Sequence, residues 1–180
     1  MTEVIRSTYL DPSQVDKRPE SMGRAMPGTE IMVLREDLTP CEPGEVGVLV
    51  HRGPTVALGY WDDPEKTAKA IDAAHWIHSG DIAVLDGAGY CQIVGRIKDM
   101  VIRGGENIFP REIEEFLYRH PKVEEAEVFG VPDPKYGEEV CVWIKLKPGE
   151  DATEDEIRDF CRDRIAHFKV PRYIRFVEDY

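Results

Sequence analysis

Residues 95–110 hold the densest group of side chains that could bind a ligand. They read GRIKDMVIRGGENIFP, so Arg96 and Lys98 precede a short apolar run and two adjacent glycines, Gly104 and Gly105. Glycine adopts positive φ without strain and lets a ligand approach the backbone closely. The apolar residues 100–102 are expected to form a short buried strand that holds the turn. A Gly-Gly pair alone is more typical of a plain loop, but this order of residue types suggests a joint followed by a binding turn.

Asp81 is a second candidate for ligand binding. It follows Gly80 at the end of a strand-like segment, where its carboxylate could accept two hydrogen bonds from a vicinal diol. Hydrogen bonds to a charged acceptor are the stronger kind. A turn aspartate in a surface ion pair with Arg96 would explain the same residues, and residue types alone do not separate these two interpretations.

The bulk composition excludes several classes of partner. The chain has 180 residues, 42% of them hydrophobic, and a formal net charge of −12, which indicates a globular protein with one large or two small cores. A nucleic-acid groove or an anionic membrane needs concentrated Lys and Arg, so neither is expected as the main partner. Any phosphate ligand must therefore be held by a few local groups.

The four cysteines, Cys41, Cys91, Cys141 and Cys161, are widely separated and have no histidine nearby at metal-ligand spacing. This pattern predicts reduced, partly buried thiols without a structural metal, in a cytoplasmic or organelle-matrix setting. No apolar run is long enough for a transmembrane helix, which needs about 18 residues. The expected localisation is the cytoplasm.

The order of predicted elements divides the chain at residue 96. Residues 1–25 are expected to be loop, followed by strands at 30–34, 46–51, within 76–85 and at 90–94, and by a capped helix that starts at Pro64. After residue 97 the pattern predicts a strand at 100–102, a helix at 110–119, strands at 123–131 and 138–146, a helix opened by a capping box at Thr153, and a strand at 173–177. The predicted fold class is α+β: a small β-rich module, 1–96, and a small mobile domain, 97–180, with two helices packed on a short sheet.

Several short motifs resemble those of the adenylate-forming superfamily, and they occur in that family's order and spacing. Residues 1–3 (MTE) resemble the end of its Tyr-Gly-Met-Thr-Glu motif, 58–61 (LGYW) its Gly-Tyr-Trp element and 76–81 (WIHSGD) its Trp-x-x-Thr-Gly-Asp element. Residues 95–110 resemble its hinge and glycine turn, and 130–138 (GVPDPKYGE) a later element. The local sequence is most similar to that of AMP-dependent fatty acyl-CoA synthetases.

The resemblance implies a role for each matching residue. Thr2, Asp81 and Arg96 would bind the nucleotide, with Asp81 on the ribose hydroxyls, and Glu3 would help to hold Mg²⁺. Lys98 would be the hinge between two arrangements of the mobile domain. Gly104, Gly105 and Tyr136 would lie against CoA. The five histidines show no pattern that indicates a base and are expected to be structural or exposed.

The function implied is ATP-dependent, AMP-forming acyl-CoA synthesis from a fatty acid, with ATP, Mg²⁺ and CoA required. The family's adenylation lysine lies in a Pro-x-Thr-x-x-Gly-Lys element that has no match here, and its phosphate loop is not matched either. The chain is thus expected to be a fragment, holding the end of a large N-terminal domain and most of the C-terminal one, and inactive alone. An adenylation domain of a peptide synthetase and a non-catalytic interaction module are the alternatives. Self-association through apolar surface is also expected.

Overall fold

The computed structural model describes residues 3–178. Its internal contacts divide the chain into two compact units, the first ending at Ile97 and the second beginning at Lys98. The division falls one residue after the boundary that the sequence pattern suggests. Each unit is described by itself below.

Over its described residues, the first unit is a six-stranded antiparallel sheet with one short α-helix, α1 (Pro64–Ala70). Asp63 caps this helix by accepting a hydrogen bond from the backbone N–H of Lys66 at 2.9 Å. The strands lie in the spatial order β1-β2-β6-β5-β4-β3. Their bounds are β1 (Thr8–Tyr9), β2 (Ser21–Ala25), β3 (Glu30–Leu34), β4 (Val46–Arg52), β5 (Ile77–Leu85) and β6 (Cys91–Arg96).

The expected strands of this unit are confirmed, but the loop expected over residues 1–25 is wrong for β1 and β2. Strand β2 contains Gly23 at a φ of +95° and pairs with β6, placing Gly23 opposite Cys91. The pairing joins segments about seventy residues apart. No local alternation of apolar residues announces such a strand, because its stability comes from its partner strand.

Alternating side chains of the first sheet form two apolar clusters. Val33 and Leu49 pack with Ala83 and Cys91, whereas the next residues along the same strands, Leu34 and Val50, pack with Trp76. This is the period of two that a strand imposes on its side chains.

The second unit is a mixed sheet built around its longest hairpin. Strand β10 pairs antiparallel with β9 along one edge, and pairs with β7 (antiparallel) and β11 (parallel) along the other, while β8 pairs with β7. The bounds are β7 (Val101–Arg103), β8 (Glu106–Ile108), α2 (Pro110–Leu117), β9 (Val123–Asp133), β10 (Gly137–Leu146), α3 (Glu154–Cys161) and β11 (Tyr173–Phe176). Strand β8 was not expected, because three residues are too few to show an alternating pattern.

Both predicted helices of the second unit pack on its sheet. Helix α2 buries Ile113 and Leu117, and α3 buries Ile157 and Cys161, against a core that includes alternate residues of β10. The predicted cap of α3 is present, since Thr153 Oγ accepts a hydrogen bond from the N–H of Glu156 at 3.2 Å. These apolar contacts give the second unit a core of its own.

All four cysteines are free thiols. Cys91 lies in the core of the first unit and Cys161 in that of the second. Burial raises the pKa of Cys91 to about 12 and that of Cys161 to about 11. In the part of the chain that the structure describes, no helix is long and apolar enough to cross a bilayer.

We expect Ile157→Ala to lower the free energy of unfolding of the second unit by about 2–5 kcal/mol, because it leaves a cavity under α3. Asp155→Ala is the control in the same helix: its side chain is 90% exposed, and the change should stay within about 0.5 kcal/mol. Urea denaturation of both variants measures the difference. Similar losses in the two would contradict the placement of the core.

Candidate functional site

Asp81 and Arg96 lie side by side on adjacent strands of the first unit. They are direct cross-strand partners in β5 and β6, and Arg96 Nε donates to Asp81 Oδ1 at 3.0 Å. The Asp81 side chain is 16% exposed, and its backbone N–H donates to Ser79 Oγ at 3.1 Å. The surface ion pair is therefore formed. A carboxylate offers about four lone-pair sites, so this contact leaves Asp81 able to accept hydrogen bonds from a ligand.

Asp81 borders a cavity of about 310 Å³ in the first unit. A cavity of this size is at the lower end of the range for small-molecule sites. Its walls combine apolar and polar residues in equal number. They are formed by residues 4–8, Met22, Leu49, His51, Asp81 and Ile93.

His51 lines the same cavity, although the sequence pattern gave it no role beyond a structural or exposed one. Its side chain is only 2% exposed, and its Nδ1 atom has no hydrogen-bond partner among residues 3–178. Burial lowers the pKa of His51 below its ordinary value of 6.5, an effect that the nearby negative charge of Asp81 opposes. A signal was available: His51 is two residues from Leu49 on β4, so both side chains face the same side of the sheet.

Glu3 is held by a residue of another predicted motif. The Tyr60 hydroxyl donates to Glu3 Oε1 at 2.7 Å, which raises the pKa of Tyr60, and the N–H of Ala57 donates to the Glu3 carbonyl oxygen at 2.8 Å. One carboxylate is suited to Mg²⁺, which is usually bound through one or two carboxylates plus phosphate oxygens. Thr2, the other candidate at this end, lies outside the described residues.

Lys98 lies in a short 3-10 turn, Ile97–Asp99, where the first unit gives way to the second. Its ammonium group is exposed and lies 3.8 Å from Asp99 Oδ1. An exposed ion pair of this kind contributes little to stability. The hinge role of Lys98 remains a prediction.

The predicted glycine turn joins β7 to β8. Gly104 and Gly105 have φ values of +60° and +93° and lie between the paired residues Arg103 and Glu106, as in a two-residue hairpin turn with positive φ at both central positions. A Cβ on Gly104 would lie 3.1 Å from Tyr136 Cδ1, whereas a Cβ on Gly105 would meet no atom within 4 Å. Gly104 is thus packed against Tyr136, and Gly105 is open to a ligand.

Tyr136 is surrounded by cations. The guanidinium of Arg103 lies 4.2 Å from the centre of its ring, and Lys135 Nζ lies 4.6 Å from it. A hydrogen bond with Lys135 lowers the pKa of the Tyr136 hydroxyl. Arg103 also pairs with Glu139. Sequence reasoning assigned no role to Arg103 or Glu139, because the ion pair joins residues 36 positions apart.

Comparison with known proteins finds two family models that match the chain. The model of the AMP-binding enzyme family matches residues 1–61, and that of the AMP-binding enzyme C-terminal domain matches residues 112–180. The chain belongs to the adenylate-forming superfamily of AMP-binding enzymes.

Individual relatives match nearly the whole chain. The mitochondrial medium-chain acyl-CoA ligase ACSF2 of Pongo abelii is 50% identical over 98% of this chain and 29% of its own length. ATP-bound MatB of Rhodopseudomonas palustris is similar with a TM-score of 0.93 and 35% identity, over 99% of this chain and 36% of its own. The o-succinylbenzoate CoA synthetase MenE of Bacillus subtilis, in complex with an acyl-adenylate, gives a TM-score of 0.90 at 30% identity, over 99% and 36%. The chain therefore spans about a third of the length of these proteins.

We expect the first unit to lose stability as the pH falls below about 6.5, because the unfolded chain then binds a proton at His51 that the buried imidazole resists. The folded pKa is depressed, so the stabilisation is complete above the unfolded value and is lost on acidification. His51→Leu should remove this loss. Urea denaturation at several pH values, read from amide exchange in β4 and β5, measures it.

His120 provides the internal comparison for this prediction. Burial lowers its pKa too, but it lies in the second unit, so its contribution should persist in the His51→Leu protein. Identical pH profiles in β4 and β5 for the parent and His51→Leu proteins would contradict the prediction.

Proposed function

We propose that this chain is part of an ATP-dependent, AMP-forming acyl-CoA synthetase. In the first step the carboxylate oxygen of a fatty acid attacks the α-phosphorus of ATP, and pyrophosphate leaves. In the second step the sulfur of CoA attacks the acyl carbonyl, AMP leaves, and the thiol proton is lost. The observation that carries the proposal is the Asp81–Arg96 pair at the edge of the cavity of about 310 Å³. The similarity to a medium-chain acyl-CoA ligase, at 50% sequence identity over 98% of this chain, supports it.

The first unit would bind the nucleotide. Asp81 accepts hydrogen bonds from the ribose hydroxyls, and Arg96 holds that carboxylate in position through its own hydrogen bond. Thr2 would bind near the phosphates, a role that rests on the motif resemblance alone. Glu3 would hold Mg²⁺, which supplies charge neutralisation at the phosphates when bound. The chemistry of this step is electrostatic stabilisation rather than covalent catalysis by a side chain.

The second unit would receive CoA. The open side of Gly105 admits the pantetheine arm close to the backbone, and Tyr136 borders that path. Lys98 would act as the hinge, so that the mobile domain serves adenylation in one arrangement and thioester formation in the other. Residues 1–96 would then form the end of the N-terminal adenylation domain, and residues 97–180 would belong to the C-terminal domain.

The acid is proposed to be a fatty acid, in keeping with the medium-chain ligase named above. The test is AMP formation from ATP, Mg²⁺, CoA and a series of fatty acids of increasing length. The 180-residue chain is compared with a longer protein that completes it to the length of its relatives. Activity confined to the longer protein supports the proposal and ranks the acids. Turnover by the 180 residues alone would overturn the expectation that the unmatched phosphate loop and adenylation lysine are needed for activity.

Asp81→Asn in the longer protein is expected to raise KM for ATP by about tenfold to a hundredfold, because bonds to a charged acceptor are lost. Asp86→Asn is the matched control: this carboxylate lies in the turn after β5 and pairs with Arg18. Steady-state kinetics with ATP varied measures both. An Asp81→Asn enzyme with the KM of the control would exclude the ribose role.

A cytoplasmic setting remains a proposal. Four free thiols are consistent with a reducing compartment, but the matrix of an organelle is reducing as well, and the relative ACSF2 is named as mitochondrial. Fractionation of cells with an antibody to the chain would distinguish the two compartments.

We also expect the 180-residue chain to self-associate. Leu58 and Trp61 are 97% and 98% exposed, and exposed apolar patches promote association. Added salt should strengthen it by screening the repulsion of a chain with net charge −12, and Trp61→Ser should weaken it. Sedimentation at increasing concentration measures association, and a monomer throughout would contradict this expectation.

A further inference from the structure

Strand β7, which carries the glycine turn, is attached to β10 partly through side chains. The two strands share the register pair Arg103 and Gly137, and the N–H of Gly104 donates to the carbonyl oxygen of Tyr136 at 2.9 Å. Next to this pair, the N–H of Ile102 donates to Glu138 Oε2 at 2.6 Å. The position of the turn therefore depends on acidic side chains at the start of β10 as well as on the backbone ladder.

Glu139 is the more buried of these acids. It is 1% exposed, and its Oε1 atom accepts hydrogen bonds from Arg103 Nε and from the N–H of Val140, the latter at 3.1 Å. Arg172 Nη1 lies 3.6 Å from Oε2. Burial by itself raises the pKa of Glu139, but the Arg103 hydrogen bond, the Val140 N–H and the two guanidinium charges outweigh it, so the pKa lies below its ordinary value.

A continuous path of contacts leads from this carboxylate to the turn. Glu139 holds Arg103, and the guanidinium of Arg103 lies over the ring of Tyr136. The Cδ1 atom of the same ring would lie 3.1 Å from a Cβ added to Gly104. Arg103 is thus fixed at its inner end by a buried charge, and its outer face fixes the aromatic ring that covers one side of the turn.

We propose that Glu139 is a positioning residue for the CoA step, acting through Arg103 on Tyr136 and the Gly104–Gly105 turn. This inference rests on the proposed function, because it needs the turn to receive the pantetheine arm. Glu139 itself does not contact CoA. It keeps the guanidinium in place, so that Tyr136 remains packed on Gly104 and the side of Gly105 remains open.

The physical basis is the difference between breaking and replacing a buried ion pair. An apolar pair of similar volume is often as stable as a buried ion pair, whereas removing one charge leaves the other uncompensated. Glu139→Gln keeps the shape but leaves Arg103 without its carboxylate. The guanidinium then gains by turning toward water, away from the ring of Tyr136. Small displacements at a binding site can cost large factors in rate.

The experiment uses the longer protein and measures the two steps separately. For Glu139→Gln we expect about a tenfold rise in KM for CoA, with ATP–pyrophosphate exchange driven by the fatty acid unchanged. Glu114→Gln is the matched control: Glu114 is a half-buried acid of the same unit that accepts a hydrogen bond from the N–H of Val128 at 2.9 Å. It should not change KM for CoA, even where it lowers stability to a similar extent.

Arg103→Lys provides a second variant and a test of coupling. It keeps a cation beside Glu139 but loses the planar group over Tyr136, so it should raise KM for CoA as Glu139→Gln does. The double variant should be no worse than either single one, since both changes break one path. Where Glu139→Gln does not fold, the Arg103→Lys result decides by the same criterion.

The outcomes separate this inference from the function on which it rests. If Gly105→Leu leaves KM for CoA unchanged, CoA does not approach the turn, and both the proposed CoA site and the role of Glu139 are wrong. If Gly105→Leu raises KM for CoA but Glu139→Gln behaves like Glu114→Gln, only the role of Glu139 is overturned. Equal losses in pyrophosphate exchange and in the CoA step would show a structural role alone and would also overturn it.

Discussion

The second unit depends on the hydrogen-bond ladders of one central strand. A buried strand must satisfy its backbone N–H and C=O groups, and β10 does so with β9 along one edge and with β7 and β11 along the other. Its alternate residues Val140, Val142 and Ile144 meanwhile enter the core. Tyr136 immediately precedes this strand, and Glu139 is its third residue. The candidate CoA site therefore takes its geometry from the strand that organises the unit.

The elements with strong local signals could be predicted from the sequence. Helix α3 combines a capping residue, Thr153, with apolar residues at helical spacing, and both signals lie within a dozen residues. The hairpin of β5 and β6 is announced by an Asp-Gly turn between two apolar runs. Strand β2 is different, because it is held by pairing with β6. Its residue types are typical of a loop, and only the pairing with β6 identifies it as a strand.

The candidate site shows the same division. Motif resemblance pointed to Asp81 and Arg96, and the strand register then explains why they meet. It also pointed to Glu3 but not to its hydrogen bond with Tyr60, which joins residues 57 positions apart. His51 and Glu139 are both polar residues within apolar strands. The spacing of His51 from Leu49 on β4 was a signal for its burial, whereas Glu139 had none, because its burial depends on tertiary packing.

The buried thiols have a consequence for how the two units can be studied. A thiol reacts as its thiolate, and Cys91 and Cys161 are both shielded by burial and shifted to pKa values of about 12 and about 11. Either sulfur becomes reactive only when its own unit opens. The rate of alkylation at each cysteine, resolved by peptide mass, therefore gives a separate opening free energy for each unit in the same sample. Alkylation of Cys91 thus reports the opening of the first unit, and alkylation of Cys161 reports that of the second.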